Sequence, residues 1–307
     1  MQKLSVVVNL RAGGARGAGH WPGIKKLLRD RLGPYEAYIC QDYASGYQAA
    51  SAALQAGADR LLCIGGDGTL NDVFNALMRT ARRPAEIPVG ILPNGSGCDL
   101  ARTLSIPRDV GRALDIVAAG RLRQIDLGLM RSSDKRAGSV QRYFHNVLSF
   151  GLGGLVVQQI NRESKLFGPR LAFMLAALRA IVRYRPQAVE VRLDQGPALR
   201  SKVWNVAIAN GRFHGGGMLV APQARVDDGL LDVLVIGDIS RRGILLHLPK
   251  LYNGRIARAP KVTQARAGRV QARGSTFMGL DVDGENLGCL PLEVVIAPRA
   301  VSLYAKG

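Results

Sequence analysis

Cysteine is scarce in this chain of 307 residues. Only Cys40, Cys63, Cys98 and Cys289 occur, with no C-x-x-C pair and no histidine at zinc-ligand spacing. That excludes a disulfide framework or structural zinc as the organising device and fits a reducing cytosol. Aromatics are few, at 6%, which argues against base-stacking platforms for nucleic acid. Long apolar runs are missing. The opening MQKLSVVVNL is too short for a signal-peptide core and has no small-residue cleavage site. The longest apolar helical candidate, Leu171 to Val182, is interrupted by Arg179 and falls short of the ~20 residues that span a bilayer. No transmembrane anchor is expected. Acidic residues are also in short supply, 23 Asp and Glu against 42 Lys and Arg, a formal charge of +19. Such a surface draws polyanions: nucleic acid, anionic headgroups or phosphorylated metabolites. What is abundant is core material. The chain is 47% apolar with a mean hydropathy of +0.05, which excludes disorder as the main state.

At roughly 100–200 residues per domain, two domains are expected. The first, residues 1–123, alternates strands and helices: strands at Leu4–Asn9, Tyr35–Cys40, Arg60–Ile64 and Pro88–Leu92, helices at Trp21–Leu32, Gly46–Gly57, Asp72–Arg82 and Val110–Ala119. Strands separated by helices of this length imply a parallel, doubly wound α/β sheet. Residues 124–307 read as a β-rich sandwich, with strands at Gln124–Met130, Tyr143–Phe150, Ala188–Leu193, Val203–Asn210, Leu230–Ile236, Arg269–Arg273 and Leu292–Ala297. Helical inserts are expected at Pro169–Tyr184 and Arg241–Leu251, and the final strands can return to the first domain.

The sharpest local signal is Gly65-Gly66-Asp67-Gly68-Thr69-Leu70-Asn71, between a strand and a helix. Glycines let the backbone turn sharply and approach a ligand closely. The N–H groups at the helix start then face a phosphate. An acid inside a phosphate loop repels the anion unless a Mg²⁺ ion lies between them. Pro93-Asn94-Gly95-Ser96-Gly97-Cys98-Asp99 repeats the arrangement after the next strand, and Asn9 to Gly17 ends at the same sheet edge. Loops at the carboxyl ends of parallel strands line one crevice. Neither a G-x-x-x-x-G-K-[ST] nor a G-x-G-x-x-G motif is present.

GGDGTLNDV followed by ILPNGSGCDLAR resembles the catalytic domain shared by diacylglycerol kinases, sphingosine kinases and their bacterial soluble relatives. The resemblance continues through Phe144 to Gly151, through Asn210-Gly211 with Gly215-Gly216-Gly217-Met218, through Asp227-Asp228-Gly229-Leu230-Leu231-Asp232, and ends at Val282-Asp283-Gly284-Glu285. GGDGT alone is shared with NAD kinases and phosphofructokinases. The later elements select the lipid-kinase branch.

The resemblance implies Mg-dependent transfer of the γ-phosphoryl group of ATP to a lipid hydroxyl, in a cleft between the two domains. Asn9, Leu10, Arg11, Ala12 and Gly13, with Asp42 and with Gly65 through Asn71, would cradle the nucleotide, and Ser96 would bind phosphate through its hydroxyl. Asp67 and Asp99 would hold the catalytic Mg²⁺, supported by Asp126. Glu285 is assigned as general base with Asp283 as its rival. A structural Mg²⁺ would be held by Asp228 and backbone oxygens of Arg225 and Leu230, an oxygen-only set suited to such an ion.

Three positions depart from the family pattern. The first loop lacks the usual N-P-x-x-G. Asp42 stands where relatives often have Thr, and Cys98 replaces an Asn. A catalytically weakened nucleotide- or lipid-binding relative, or a GGDGT-type kinase of a soluble substrate such as NAD, is the alternative. The position of Cys98 near a helix start would lower its thiol pKa, but no resolving cysteine is near in sequence and no redox role is expected. His20, His145, His214 and His247 sit in no motif and read as surface or packing residues, with His214 beside the glycine run near the expected cleft. The expected partners are ATP and a lipid at an anionic membrane surface, with no specific nucleic acid. A homodimer is compatible, and the expected location is cytoplasmic, peripheral to the membrane. Seven cations from Lys250 to Arg273 with no intervening acid suit such a surface, as does an interfacial helix over Pro169–Arg185.

Overall fold

The computed structural model describes residues 2–13, 16–40, 42, 45–134, 138–156, 178–274 and 277–306. The chain divides into two compact units: residues 1–127 with 298–307, and residues 128–297. The expected insert over Pro169–Arg185 lies outside the described residues up to position 177; residues 178–183 are helical.

In the first unit, β1 (Leu4–Val8), β2 (Glu36–Ile39), β3 (Arg60–Gly65) and β4 (Val89–Pro93) pair in parallel. The order is β2-β1-β3-β4, and Leu303 adds a further parallel pairing on Val89. β1 and β3 are buried almost throughout, which is why their sequences are mostly apolar rather than alternating. The covering helices are α1 (Arg16–Leu32), α2 (Gly46–Gln55), α3 (Asp67–Thr80), α4 (Asp99–Thr103) and α5 (Val110–Ala118). α3 begins five residues earlier than its sequence suggests. Gly68 and the β-branched Thr69 are poor helix formers, but Gly66 is an extended N-cap and Asp67 places a carboxylate at the positive end of the helix. Val73, Phe74 and Leu77 are buried beneath it, each worth roughly 1.5–3 kcal/mol. The expected loop Asp67–Asn71 is therefore the first turn of a well-anchored helix.

The second unit is β-rich. β5 (Leu122–Asp134) enters it, followed by β6 (Gly138–Phe144), β7 (Val147–Gly151), β8 (Gln187–Leu193), β9 (Leu199–Ala209), the short hairpin β10 (Phe213–His214) and β11 (Met218–Leu219), then β12 (Leu231–Gly237), β13 (Val262–Ala267), β14 (Arg269–Gly274), β15 (Gly279–Val282) and β16 (Glu285–Tyr304). The stretch read as one strand, Tyr143–Phe150, is two: His145 and Asn146 break it. Strand order within the unit runs β13-β12-β9-β7-β15-β16. Side chains alternate across this sheet. Leu148, Phe150, Val206, Ile208, Val233 and Leu280 pack on one face in the sandwich core. Val147, Ala207, Leu234 and Ile236 lie on the other, under Ile244 of α6 (Arg241–His247) and Leu248 and Leu251 of the following 3₁₀ turn.

Candidate active site

In the first unit, the register aligns the carboxyl ends of three strands, Val8 opposite Ile64 and Ile64 opposite Leu92. The loops that follow are tied together. Asn9 N–H donates to the Ile64 carbonyl at 2.9 Å and Asn94 N–H to the Gly65 carbonyl at 2.8 Å. Asn9 Oδ1 accepts from the N–H groups of Arg11 and Ala12, which closes the first loop, and Asn9 Nδ2 donates to Thr69 Oγ1 at 3.0 Å. A side chain at Gly95 would place Cβ 2.4 Å from Gly66 Cα. Only glycine allows this approach, so the paired loops form one backbone-lined cradle at the start of α3.

The two acids come together here. Asp67 Oδ1 accepts the N–H of Asp99 at 2.8 Å and that of Leu100 at 3.3 Å. Asp99 is buried, with Arg102 Nε 3.8 Å from its Oδ1. Among the described residues no group of three or more His, Cys, Asp or Glu side chains could hold a metal. A pair of carboxylates beside a phosphate cradle suits Mg²⁺, which takes one or two protein carboxylates and completes its shell with phosphate oxygens and water.

Ser96 is exposed on the loop, and Arg108 Nη2 donates to the carbonyls of Ser96 and Gly97, each at 2.9 Å. Arg108 was not legible as a site residue; it braces the loop and adds a cation beside it. Asp42 is exposed, its N–H bonded to Ser45 Oγ. Asp126 is buried and accepts Arg299 N–H at 2.7 Å, tying the chain's return into this unit. The expectation for Cys98 is overturned. Its thiol is pushed up to about 11 by burial and by the Asp67 carboxylate, which outweigh the Gly95 N–H and Arg108. An activated thiol is not what this environment makes.

In the second unit, Asp283 and Gly284 both have positive φ between the paired residues Val282 and Glu285, the requirement of a two-residue hairpin turn. The Asp283 carboxylate is buried and fully engaged. It accepts the N–H groups of His145, Asn146 and Val147 at 2.9–3.0 Å and lies 3.0 Å from His145 Nδ1. Burial alone would raise its pKa. The imidazole and the backbone donors outweigh burial and hold it at about 2. Glu285 is about half exposed, with Arg142 Nη2 3.4 Å from its Oε2. Of the two rivals for a proton-accepting role, Asp283 is the one committed to holding a turn.

The same unit contains a cavity of about 100 Å³. Its walls are mostly apolar: Val147, Leu152, Val156, Ala207, Leu234 and Leu251 are among them. Ser149, Asn205, His214 and Asp281 supply the polar groups. His214 Nε2 is 2.8 Å from Asp281 Oδ2, and Ser149 Oγ is 3.4 Å from the same oxygen. Sequence reading missed Asp281 and Ser149 and took His214 for packing. The available signal was the alternation Leu280-Asp281-Val282, which sets an acid opposite two core residues.

At the expected structural Mg²⁺ site the carboxylate is engaged by groups of the protein. The Asp228 carboxylate is bonded to the Arg266 guanidinium and to Leu230 N–H, and Arg225 pairs with Asp227.

Two family models match, the diacylglycerol kinase catalytic domain over residues 3–130 and the YegS C-terminal NAD kinase beta sandwich-like domain over residues 146–305. A diacylglycerol kinase of Mycobacterium tuberculosis is 30% identical over 256 residues, covering 82% of this chain and 79% of that protein. The crystal structure of a candidate diacylglycerol kinase from Bacillus anthracis superposes with a TM-score of 0.80 at 19% identity, over 99% of this chain and 95% of the other. Yeast NADH kinase shares the fold more distantly, with a TM-score of 0.57 at 13% identity, over 100% of this chain and 84% of the other.

Proposed function

Because the chain belongs to the diacylglycerol kinase catalytic-domain family, phosphotransferases with an alcohol group as acceptor, we propose that it transfers the γ-phosphoryl group of ATP to a lipid hydroxyl. The observation that carries the lipid reading is the second unit's cavity, apolar along most of its wall with a carboxylate at one side. A soluble dinucleotide would leave its polar groups unpaired against such walls. The NAD alternative has the shared GGDGT motif and a fold likeness at 13% identity.

In this reading the backbone of Asn9–Gly13 and Gly65–Gly66, with the start of α3, holds the triphosphate, and the Ser96 hydroxyl adds a donor. Asp67 and Asp99 would hold Mg²⁺, which when bound offsets the charge of the phosphate oxygens. The acceptor oxygen bonds to the γ-phosphorus, the bond to the ADP oxygen breaks, and the hydroxyl proton passes to Glu285. General-base assistance of this kind is worth roughly 10²–10⁴-fold. Asp283 keeps the turn that carries Glu285 in place.

The lipid is met at an anionic membrane surface. No described helix is long and apolar enough to cross a bilayer, so the contact is peripheral in this reading. From Ile239 to Leu280 the chain has nine Arg or Lys and no acid. Within that stretch Leu245, Leu246 and Tyr252 are exposed.

The test is transfer of labelled phosphate from ATP to a panel of diacylglycerol, sphingoid base, phosphatidylglycerol, long-chain alcohol and NAD, with Glu285→Gln as control. Label in a lipid, and far less with the variant, supports the reading. Label in NAD alone, or equal label with both proteins, overturns it.

A further inference from the structure

His145 is completely buried and has no role among the groups assigned to phosphoryl transfer. It stands with Asn146 at the break between β6 and β7. An imidazole is costly to bury, because its ring nitrogens give up water. What surrounds it shows what it serves.

The break anchors the hairpin that carries Glu285. Asp283 Oδ2 accepts His145 N–H at 2.9 Å, and Oδ1 accepts the N–H groups of Asn146 and Val147 at 3.0 and 2.9 Å. Asp283 N–H donates to the Val147 carbonyl at 3.0 Å. On the side of the break these bonds use backbone alone, so any residue but proline at position 145 could make them. The His145 side chain adds something further: Nδ1 lies 3.0 Å from Asp283 Oδ2, with both groups shut off from solvent. The break is fastened in its turn. Asn210 Nδ2 donates to the His145 carbonyl at 3.0 Å, and the N–H groups of Asn210 and Gly211 donate to the Asn146 carbonyl at 2.8 and 2.9 Å. Beyond Asp283, Gly284 N–H is held by Asp281 Oδ1 at 2.9 Å. Asp283 has a φ of 50°, a left-handed conformation that a residue with a side chain keeps where its surroundings hold it. Glu285 follows directly, and Arg142, on the strand that leads into the break, reaches its Oε2 at 3.4 Å.

We propose that His145 is a positioning residue for Glu285. The imidazole fixes the Asp283 carboxylate, the carboxylate fixes the turn, and the turn sets the direction of the Glu285 side chain. This rests on the lipid-kinase reading and adds to it a residue outside the motif acids. His145 touches no reacting atom in this account. Its removal leaves the backbone donors to Asp283 in place and frees Oδ2 from the ring, so the turn loosens while the sheet around it stays.

The test is a double-mutant cycle in turnover of the full chain, with labelled ATP and dioleoylglycerol in detergent, or whichever acceptor of the panel above takes more label. His145→Leu should lower kcat about 10²-fold, the cost of a reacting group misplaced by about 1 Å, with the KM values for ATP and acceptor within about threefold of wild type. In a Glu285→Gln background the same substitution should change kcat by less than about threefold, because the base it serves is already gone. A merely structural loss would multiply in both backgrounds. His145→Asn, which keeps an amide N–H close to the place of Nδ1, should retain kcat within about fivefold. Should His145→Leu not fold, His145→Gln, whose amide reaches the place of Nε2 instead, takes its position in the cycle. Equal fold-losses in the two backgrounds overturn the proposal, as do a raised KM at unchanged kcat and an Asn variant as impaired as the Leu variant. If the wild type labels the acceptor and the losses multiply, His145 fails as a positioning residue and the kinase reading stands. If the wild type labels no acceptor, the kinase reading fails, and His145 has no base to position.

Discussion

The carboxylate of Asp67 accepts the backbone N–H of Asp99 at 2.8 Å, so two acids 32 residues apart are one unit. Asp67 caps the start of α4 from the start of α3, and both helices direct their positive ends toward the loops that bear them.

The first prediction follows from that double duty. Asp67→Ala removes a charge from the phosphate cradle and a cap from α4. We expect a loss of phosphoryl transfer of about 10²–10³-fold, measured with labelled ATP. The cap is worth roughly 1 kcal/mol, read as a lowered urea midpoint. Asp99→Asn keeps the backbone N–H that Asp67 accepts, so it should lose comparable activity with little loss of stability. Activity within threefold of wild type in both variants would remove these acids from the chemistry.

Asp283 makes a prediction about acid. Its folded pKa of about 2 lies below the unfolded value of 3.8. A depressed carboxyl stabilises the fold above its unfolded pKa, and that stability is lost as pH falls through the folded one. The window is therefore about pH 4 down to pH 2, and the loss is roughly 2 kcal/mol. Chemical unfolding across this range should show the steep limb in the wild type and a shallower one in Asp283→Asn. Glu285→Gln should keep the wild-type limb. If Asp283→Asn matches the wild type in its acid limb, the turn is held by something else.

The parallel sheet was legible because buried strands such as Leu4–Val8 and Arg60–Gly65 are mostly apolar and lead into glycine-rich loops. The start of α3 was hidden, since Gly68 and Thr69 argue locally against helix and only the buried Val73, Phe74 and Leu77 decide it. The motif acids Asp67, Asp99, Asp283 and Glu285 were all visible. Their division of labour was not, because it depends on which backbone N–H groups each carboxylate meets across long sequence separations. Asp281 was passed over for the same reason. An acid in a strand looks exposed until its pairing with Ser149 sets it over a cavity.

Arg266 allows a test by metal removal. Its guanidinium bonds Asp228 and lies 3.7 Å from Asp232, whose pKa burial raises while Arg266 lowers it. A fixed cation already occupies the turn, so a chelator should leave the melting temperature of the nucleotide-free protein unchanged. Arg266→Ala leaves two half-buried acids facing each other and should cost about 1–3 kcal/mol, a shift of several degrees in calorimetry. A melting temperature that falls with chelator and returns with Mg²⁺ would restore the metal in place of the arginine.

The last prediction concerns the segment from Arg241 to Arg258. Ile244 and Ile256 point into the core, while Leu245, Leu246 and Tyr252 are exposed among the exposed cations Arg241, Arg242, Arg255 and Arg258. An outer face that is both apolar and basic suits an anionic interface. Each basic residue near such a surface contributes about 1 kcal/mol, and each buried large apolar side chain roughly 1.5–3 kcal/mol. Because Leu246 and Tyr252 are exposed, replacing both with serine should leave folding intact. It should reduce sedimentation with phosphatidylglycerol-containing vesicles by tenfold or more. The residual binding should weaken further as salt is raised from 0.1 M to 1 M, where the screening length falls from about 10 Å to about 3 Å. Turnover of a lipid dispersed in detergent should persist, because the cavity walls Leu248 and Leu251 face the other way on the same segment. Equal partition of wild type and variant, or wild-type binding indifferent to vesicle charge, would assign the membrane contact to another surface.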